Sequence, residues 1–256
     1  MTRSDSAGTS SPLLAGQVAA VMGGGRGIGR ATALRLASAG ASVVVAARSL
    51  SELEAVAVEA SARGGHITTQ VVDVTQSATV RALADGLRGT HGRLDILVNC
   101  AGVALIAPLA ATSEADWDLV MDTNLKGTYL CVHALLDLLR ASGKALVVNI
   151  ASKVGLTGHA QVSAYAAAKA GVIGLSRALA QELGHESIRV VALCPGPVDT
   201  PMRWAATPQM NPRLTVPAET IADAILFLAT MGEHVTLGAE LVVEAVGYDP
   251  SSVPLD

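Results

Sequence analysis

One tyrosine and one lysine stand out in a run of small residues, YAAAK, at Tyr165 and Lys169. Aromatic residues make up only 2% of the 256-residue chain, so this tyrosine is not needed merely to fill a core. Residues four apart lie on one face of a helix. A phenol beside an ammonium can exchange a proton with a substrate oxygen, because the positive charge favours the phenolate. The pair therefore indicates acid–base chemistry.

A glycine-rich turn follows the first apolar run and indicates a phosphate site. Its sequence, GGGRGIG, places Gly23, Gly27 and Gly29 in a G-x-x-x-G-x-G spacing, which is not the G-x-G-x-x-G dinucleotide fingerprint. Glycines let the backbone approach a pyrophosphate closely, and the helix that follows offers free N–H groups. The alternative is a glycine-rich turn without a ligand.

The residues after the second apolar run indicate whether the bound dinucleotide is NAD or NADP. This run ends in Ala46-Ala47-Arg48-Ser49 and carries no carboxylate that could hold the ribose hydroxyls of NAD. Arg48, joined by Arg26 from the glycine turn, can instead pair with the 2′-phosphate of NADP. Two solvated surface arginines are the alternative. The sequence favours NADP(H) as the cofactor.

Short apolar runs alternate with patterns of helical period along the chain. The predicted strands are 17–22, 42–47, 67–73, 94–99, 145–150, 188–193 and 240–244, and the two longest helices are 114–139 and 162–184. Strands that are apolar throughout and separated by helices indicate a parallel sheet buried on both faces. We predict one α/β domain over 15–256, a Rossmann-type doubly wound parallel seven-stranded sheet flanked by helices, after a flexible leader over 1–14. Ligands of such sheets bind at the carboxyl ends of the strands.

Composition limits the partners and the compartment. Half of the residues are hydrophobic and the net charge is −4, which gives no basic surface for nucleic acid or an anionic membrane. Cys100, Cys131 and Cys194 stand far apart and the six histidines are scattered, which argues against disulfides and against a metal site. The chain start lacks the apolar stretch of a signal peptide, and no apolar run is long enough to span a bilayer. We predict a cytoplasmic protein.

Two further residues complete a recognisable pattern. Ser152 follows the strand 145–150, thirteen residues before Tyr165, and Asn124 lies within 114–139. With them, the chain resembles the short-chain dehydrogenase/reductase family, and its 3-oxoacyl-(acyl-carrier-protein) reductase-like members, over about 15–247. The matching motifs are GGGRGIG, Asp73-Val74, Asn99-Cys100-Ala101-Gly102, Asn124, Ser152, Y-x-x-x-K and Pro195-Gly196.

The resemblance implies roles for these residues. Tyr165 would be the general acid/base, Lys169 would lower its pKa and bind the nicotinamide ribose, and Ser152 would orient the substrate oxygen. Asn124 would kink its helix and hold a water that links Lys169 to solvent. The implied cofactor-binding residues are Gly23, Gly25, Arg26, Gly27, Ile28, Arg48, Asp73, Val74, Asn99, Ala101, Gly102, Tyr165, Lys169, Pro195, Gly196, Val198 and Thr200, and the pocket wall is assigned to Val103, His159, Gln161, Met202 and Trp204. Taken singly, each catalytic residue has a purely structural alternative: an interfacial tyrosine, a solvated lysine, a capping serine and a helix-breaking asparagine.

The chain also departs from the family pattern. Met22 stands where a threonine is common, and Cys100 replaces the second asparagine of Asn-Asn-Ala-Gly. The C-terminal stretch VVEAVGYDP replaces the usual Asp-Gly-Gly ending. The loop between Met202 and a helix near Pro217 is short, which predicts a substrate pocket that is open or is completed by a neighbouring chain.

These observations predict an NADP(H)-dependent oxidoreductase that interconverts a small-molecule carbonyl and a secondary alcohol by direct hydride transfer. One alternative is an NAD-dependent alcohol, diol or sugar dehydrogenase. Another is a non-catalytic nucleotide-binding or scaffold protein on the same fold, and a lyase or epimerase is a third. The resemblance further implies a homo-oligomer, tetramer or dimer, formed through the helices 114–139 and 162–184. Nothing in the sequence selects the substrate.

Overall fold

The structure, a computed structural model, describes residues 11–231 and 240–244. In this part of the chain seven strands form one sheet in the order β3-β2-β1-β4-β5-β6-β7, with all neighbours parallel. The strands are β1 Val18–Met22, β2 Ser42–Ala47, β3 His66–Val71, β4 Ile96–Asn99, β5 Ala145–Ile150, β6 Ile188–Pro195 and β7 Glu240–Val243. Strand order reverses between β1 and β4, so the predicted doubly wound, Rossmann-type sheet is confirmed.

Helices cover both faces of the sheet. They are α1 Gly27–Ser38, α2 Leu50–Ala62, α3 Ser77–Thr90, α4 Glu114–Met121, α5 Gly127–Ser142, α6 Val154–Thr157, α7 Ser163–Leu183, α8 Pro201–Ala206 and α9 Ala218–Thr230. The core on one face joins α1, α2 and α9 to the sheet, and the core on the other face joins α3, α5 and the end of α7. Every residue of β1 and of β5 is buried, because the sheet is covered on both sides.

Three strand ends differ from the prediction by two residues, and at two of them a side chain intervenes. β3 ends at Val71, and Asp73 instead begins a turn in which its Oδ1 accepts the N–H of Thr75 at 2.9 Å. β4 begins at Ile96, where the carboxylate of Asp95 accepts the N–H of Val18 at 2.7 Å. β6 extends to Pro195, and a pairing of 198–199 with 216–217 then holds the segment that contains α8.

The helix predicted over 114–139 is interrupted by a π-helical turn, Asp122–Lys126, between α4 and α5. Asn124 Nδ2 donates to the Val120 carbonyl at 2.9 Å, and the Thr128 hydroxyl donates to the Asn124 carbonyl at 2.8 Å. Both carbonyls are thereby engaged by side chains, and such engagement widens a helix locally. The turn leaves Asn124 fully buried.

The chain ends fall partly outside the described residues. Of the predicted leader 1–14, only 11–14 are described, and there Leu14 is fully buried and its N–H donates to the Ala39 carbonyl at 2.8 Å. The unusual C-terminal sequence beyond Glu244 lies outside the described residues. Among the helices of 11–231 none is long and apolar enough to cross a membrane.

Candidate active site

A cavity of about 550 Å³ lies at the carboxyl ends of the strands, where the topology places a ligand. Its size is typical of a small-molecule or cofactor site. Most of the residues predicted for the site line it: Gly23, Gly25, Arg26, Gly27, Ile28, Arg48, Asp73, Val74, Ala101, Gly102, Asn124, Ser152, His159, Tyr165, Lys169, Pro195, Gly196, Val198, Thr200 and Met202.

The glycine turn between β1 and α1 is packed too tightly for side chains. A Cβ on Gly29 would lie 2.1 Å from the Gly23 carbonyl oxygen. Gly23 has a φ of +75°, and a Cβ there would lie 2.6 Å from the Ala101 nitrogen. The turn therefore brings bare backbone and the start of α1 to the cavity wall, an arrangement that fits the diphosphate of a dinucleotide.

Arg26 and Arg48 line one end of the cavity together with a carboxylate that the sequence analysis missed, Glu52. Arg26 Nη1 lies 3.7 Å from Glu52 Oε1, and both side chains are well exposed. Glu52 is positioned by the N-cap of α2, where Ser49 Oγ accepts the Glu52 N–H at 3.3 Å. The S-x-x-E spacing of a capping box was the available sequence signal. This end of the cavity thus holds two cations and an opposing carboxylate.

Asn124 fixes the loop that follows β4. Its Nδ2 donates to the Val103 carbonyl at 2.9 Å and its Oδ1 accepts the Val103 N–H at 3.2 Å. A Cβ on Gly102 would lie 2.6 Å from Asn124 Oδ1 and 3.7 Å from Lys169 Nζ. Asn124 and Lys169 therefore meet at Gly102, although they come from different helical segments.

Ser152, Tyr165 and Lys169 converge in the cavity. Ser152 follows β5, and its side chain forms a hydrogen bond with Tyr165 on α7. Lys169 Nζ lies 5.7 Å from the Tyr165 ring centroid and donates to the Ile150 carbonyl at 2.7 Å. The helical spacing of Tyr165 and Lys169 puts them on one face of α7, and the fold places that face beside the end of β5.

The proton-carrying groups of this cluster are strongly perturbed. Burial raises the pKa of Tyr165, while the Ser152 hydrogen bond and the charge of Arg203 oppose that rise. Burial lowers the pKa of Lys169 to about 8, and the neighbouring thiols of Cys100 and Cys194 act in the opposite direction. Desolvation thus favours the neutral form of both groups. A phenol and an amine in this state can gain or lose protons near physiological pH once a further charge enters the site.

Asn99 does not line the cavity but belongs to a buried polar row. Its Nδ2 donates to Asn149 Oδ1 at 2.8 Å, and Asn149 Nδ2 donates to Ser176 Oγ at 2.9 Å. The row links β4 and β5 to α7 and so supports the helix that carries Tyr165. Asn99 Oδ1 has no hydrogen-bond partner among the described residues, and Met22, beside it in the sheet, offers no hydroxyl.

Three residues assigned to the pocket wall lie elsewhere: Val103, Gln161 and Trp204. The turn of α8 directs Met202, Arg203 and Ala206 to the cavity. The Trp204 indole N–H instead donates to Asp199 Oδ1 at 2.6 Å in a neighbouring concavity. Gln161 contacts the loop after β4 through its main chain: its backbone carbonyl accepts the Ala107 N–H at 2.7 Å. Arg203 lines the cavity and was not predicted from the sequence, because the side of α8 that faces the cavity is known only from the fold.

Within residues 11–231 and 240–244, no group of three or more histidine, cysteine, aspartate or glutamate side chains is arranged to hold a metal ion. The described parts of the cavity wall are a glycine-walled cradle, an arginine-bearing end and an acid–base cluster.

Comparison with known proteins assigns this arrangement to a family. Residues 17–211 match the model of the short chain dehydrogenases. The chain is 37% identical over 236 residues to (2S)-((R)-hydroxy(phenyl)methyl)succinyl-CoA dehydrogenase subunit BbsD of Thauera aromatica, covering 89% of this chain and 94% of that one. It is 34% identical over 225 residues to the 3-oxoacyl-(acyl-carrier-protein) reductase of Thermotoga maritima, covering 85% and 92%. A metagenomic short-chain oxidoreductase solved in complex with NADP superposes with a TM-score of 0.79 at 35% identity, covering 91% of this chain and 99% of that one.

The chain therefore belongs to the short-chain dehydrogenase family, and the predicted resemblance is confirmed. It is an oxidoreductase of the class that acts on CH–OH and C=O groups.

Proposed function

We propose that this protein is an NADP(H)-dependent oxidoreductase that interconverts a small-molecule ketone and a secondary alcohol. The observation that carries the proposal is the convergence of Ser152, Tyr165 and Lys169 at one end of a cavity whose other end is the glycine turn with Arg26 and Arg48. Acid–base groups and a dinucleotide cradle on one cavity are what hydride transfer to a carbonyl requires.

Each side chain has a distinct task in this proposal. A bound nicotinamide cofactor supplies or accepts the hydride. Tyr165 gives a proton to the substrate oxygen or takes one from it, and Ser152 donates a hydrogen bond that orients that oxygen. Lys169 favours the phenolate by its charge. Asn124 holds the 102–103 loop against Lys169 and, by family resemblance, a water that relays protons to solvent.

The preference for NADP(H) rests on Arg26 and Arg48 at the far end of the cavity. Guanidinium groups pair with a 2′-phosphate, which NAD lacks. The NADP complex of the metagenomic relative supports the same preference. Glu52 is the one observation that favours the alternative, an NAD-dependent alcohol, diol or sugar dehydrogenase, because its carboxylate opposes a phosphate and can accept ribose hydroxyls.

A fluorescence titration of the purified protein with NADPH and with NADH tests the cofactor. We expect NADPH to bind at least tenfold more tightly, and we expect Arg48→Asp to abolish that difference. Equal affinities in the native protein, or an affinity ratio that Arg48→Asp leaves unchanged, would contradict the assignment and favour the NAD-dependent alternative.

Turnover of ketones with and without Tyr165 tests the reaction. Tyr165→Phe removes the proton-carrying hydroxyl, and we expect it to lower kcat by about 100- to 10,000-fold while cofactor affinity stays within about threefold. Near-normal turnover in Tyr165→Phe would refute the acid–base role. Cofactor binding without turnover of any ketone or alcohol would favour the non-catalytic protein, and product without net cofactor consumption would favour a lyase or epimerase.

We further propose a homo-oligomer located in the cytoplasm. The three cysteines are all unpaired, a state suited to a reducing compartment. Exposed apolar side chains on α4 and α5 support self-association, among them Trp117, Leu119 and Tyr129.

A further inference from the structure

An ion pair joins the segment after Ser152 to the end of the last strand of the sheet. Lys153 Nζ donates to a carboxylate oxygen of Glu244, which directly follows β7. The two side chains are 21% and 32% exposed, whereas every other ion pair between described residues includes a side chain that is at least 40% exposed. Because solvent and salt screen a partly buried pair less than an exposed one, this pair is suited to hold two segments together.

The ion pair lies across three neighbouring strand ends. The Lys153 N–H donates to the carbonyl of Pro195, the last residue of β6, at 2.9 Å. The Gly196 N–H donates to the carbonyl of Val243, the last residue of β7, at 2.8 Å. Gly196 also packs against Glu244, since a Cβ on this glycine would lie 2.8 Å from the Glu244 Cβ. The segments that follow β5, β6 and β7 are thus joined by two main-chain hydrogen bonds and one ion pair.

Ser152 is the site residue that this arrangement holds. Its Oγ accepts the Val154 N–H at 3.3 Å and its carbonyl accepts the Gly155 N–H at 3.0 Å, so Ser152 and Lys153 belong to one tight turn. The other side of this turn packs against α7, because a Cβ on Gly155 would lie 2.7 Å from the Lys169 carbonyl carbon. The Ser152 turn is therefore fixed between α7 on one side and the ion pair on the other.

We propose that Lys153 and Glu244 are positioning residues whose ion pair fixes the Ser152 turn against the ends of β6 and β7, and thereby sets the place of the Ser152 hydroxyl in the active site. This inference rests on the proposed carbonyl–alcohol chemistry, in which that hydroxyl orients the substrate oxygen. The two side chains act through Ser152 and need no contact with the substrate. A shift of about 1 Å in an orienting group can lower a rate by about 100-fold, so the loss of such a tether affects kcat.

Variants that break the ion pair and keep the side-chain size test the proposal. The assays use NADPH with acetoacetyl-CoA, ethyl acetoacetate and cyclohexanone. On any of these ketones that the native protein reduces, we expect Glu244→Gln to lower kcat by about five- to fiftyfold and to leave KM and NADPH affinity within about threefold. Lys153→Met should have the same effect. The exchanged variant, Lys153→Glu with Glu244→Lys, restores the pair and should recover most of the lost kcat.

Two double variants separate a tether from other effects. Lys153→Met with Glu244→Gln removes both charges, so an effect of their electric field on Tyr165 would largely cancel, whereas a lost tether keeps kcat as low as in the single variants. Ser152→Ala removes the hydroxyl through which the pair acts. In that background, we expect Glu244→Gln to lower kcat by less than about twofold further, because residues that act as a unit are not additive.

Glu240→Gln is the matched control, since it breaks an ion pair at the opposite end of β7. The Glu240 carboxylate accepts from Arg177 Nε at 2.8 Å and from Arg177 Nη2 at 2.6 Å, which ties β7 to α7. We expect this variant to keep kcat within about twofold of native. If Glu244 merely stabilised β7, both glutamine variants would lower thermal stability alike and neither would lower kcat selectively.

Four outcomes would overturn the inference and leave the proposed reaction standing: native kcat in Glu244→Gln, recovery of kcat in the uncharged double variant, an equal loss with and without the Ser152 hydroxyl, or an equal loss in Glu240→Gln. If no ketone is reduced, amide hydrogen exchange decides, because it needs no turnover. Exchange of the Lys153 and Gly196 N–H groups that is at least tenfold faster in Glu244→Gln, but not in Glu240→Gln, would support the inference while the proposed reaction fails. Unchanged exchange would overturn it.

Discussion

The side chain of Lys169 is buried, and burial lowers the pKa of its ammonium group from the ordinary value of 10.5 to about 8. Between pH 8 and pH 10.5 this amine carries a proton in the unfolded chain but not in the folded chain. The free energy of unfolding therefore rises with pH across this range. Below pH 8 the folded protein bears the full cost of charging a buried amine. The residue is therefore expected to reduce stability at neutral pH while serving the reaction.

Lys169→Met should accordingly stabilise the protein and inactivate it. At pH 7 we expect the free energy of unfolding to rise by about 1–2 kcal/mol, since relief of the charging cost exceeds the lost hydrogen bond to Ile150. This advantage should shrink as pH rises from 7 to 9.5, while kcat stays at least 100-fold below native. Urea unfolding at a series of pH values measures it. A Lys169→Met variant that is less stable at pH 7 than at pH 9.5, relative to the native protein, would contradict this account.

Glu52 should weaken NADPH binding by competing for Arg26 and repelling the 2′-phosphate. Because the pair is exposed and 3.7 Å apart, the effect is modest. We expect Glu52→Gln to raise NADPH affinity by about three- to tenfold, to leave NADH affinity within twofold, and to lose most of its effect at high salt. Glu54→Gln, exposed on the same helix, is the control. Equal gains for NADPH and NADH would show that Glu52 does not face the phosphate.

The turn from β1 into α1 depends on backbone approaching backbone. A methyl group on Gly29 would lie 2.1 Å from the Gly23 carbonyl oxygen, so helix and strand must separate. We expect Gly29→Ala to lower the free energy of unfolding by roughly 2–4 kcal/mol and NADPH affinity by at least 100-fold. Thermal unfolding and the fluorescence titration measure the two effects.

Gly86→Ala provides the matched control for that substitution. Gly86 lies in α3, and a Cβ there meets no atom within 4 Å. Alanine has the higher helix propensity, so we expect a gain of about 0.5–1 kcal/mol and unchanged cofactor binding. If both alanine variants behaved alike, close packing at Gly29 would not be what the turn requires.

Apolar side chains that are exposed on α4 and α5 concern the oligomeric state of the protein. Trp117, Leu119 and Tyr129 are 37%, 51% and 47% exposed, and Gly174 on α7 faces open space that another helix could fill. This surface coincides with the helices through which the family resemblance implies association.

Sedimentation analysis of the native protein should therefore give the mass of two or more chains, each of 25.9 kDa. Tyr129→Glu would bury a charge at the interface, and we expect it to shift the mass toward the monomer. Val58→Glu, at an apolar residue that is 70% exposed on α2, should leave the mass unchanged. A monomeric native protein, or a shift caused by Val58→Glu, would exclude this surface as the interface.

The amino-acid sequence by itself determined the strands and the residue pairs that depend only on residues close together in the chain. Apolar runs marked the inner strands because the middle of a parallel sheet is buried on both faces, and β2 and β5 were predicted to the residue. Tyr165 and Lys169 were paired correctly because the helical repeat brings residues four apart together. Family resemblance, rather than spacing, supplied the roles of Asn124 and Ser152.

Tertiary structure alone decided the features that join distant segments. The resemblance implied a kink at Asn124, but the contact of its side chain with Val103, 21 residues away, is visible only in the fold. Whether Trp204 or Arg203 faces the cavity is set by how the 198–217 segment packs against the rest of the fold, and no local pattern encodes that packing. Glu52 meets Arg26 because two turns lie at the same sheet edge. Local periodicity specifies elements and the face each side chain occupies, whereas the cavity's charges come from packing between elements far apart in the chain.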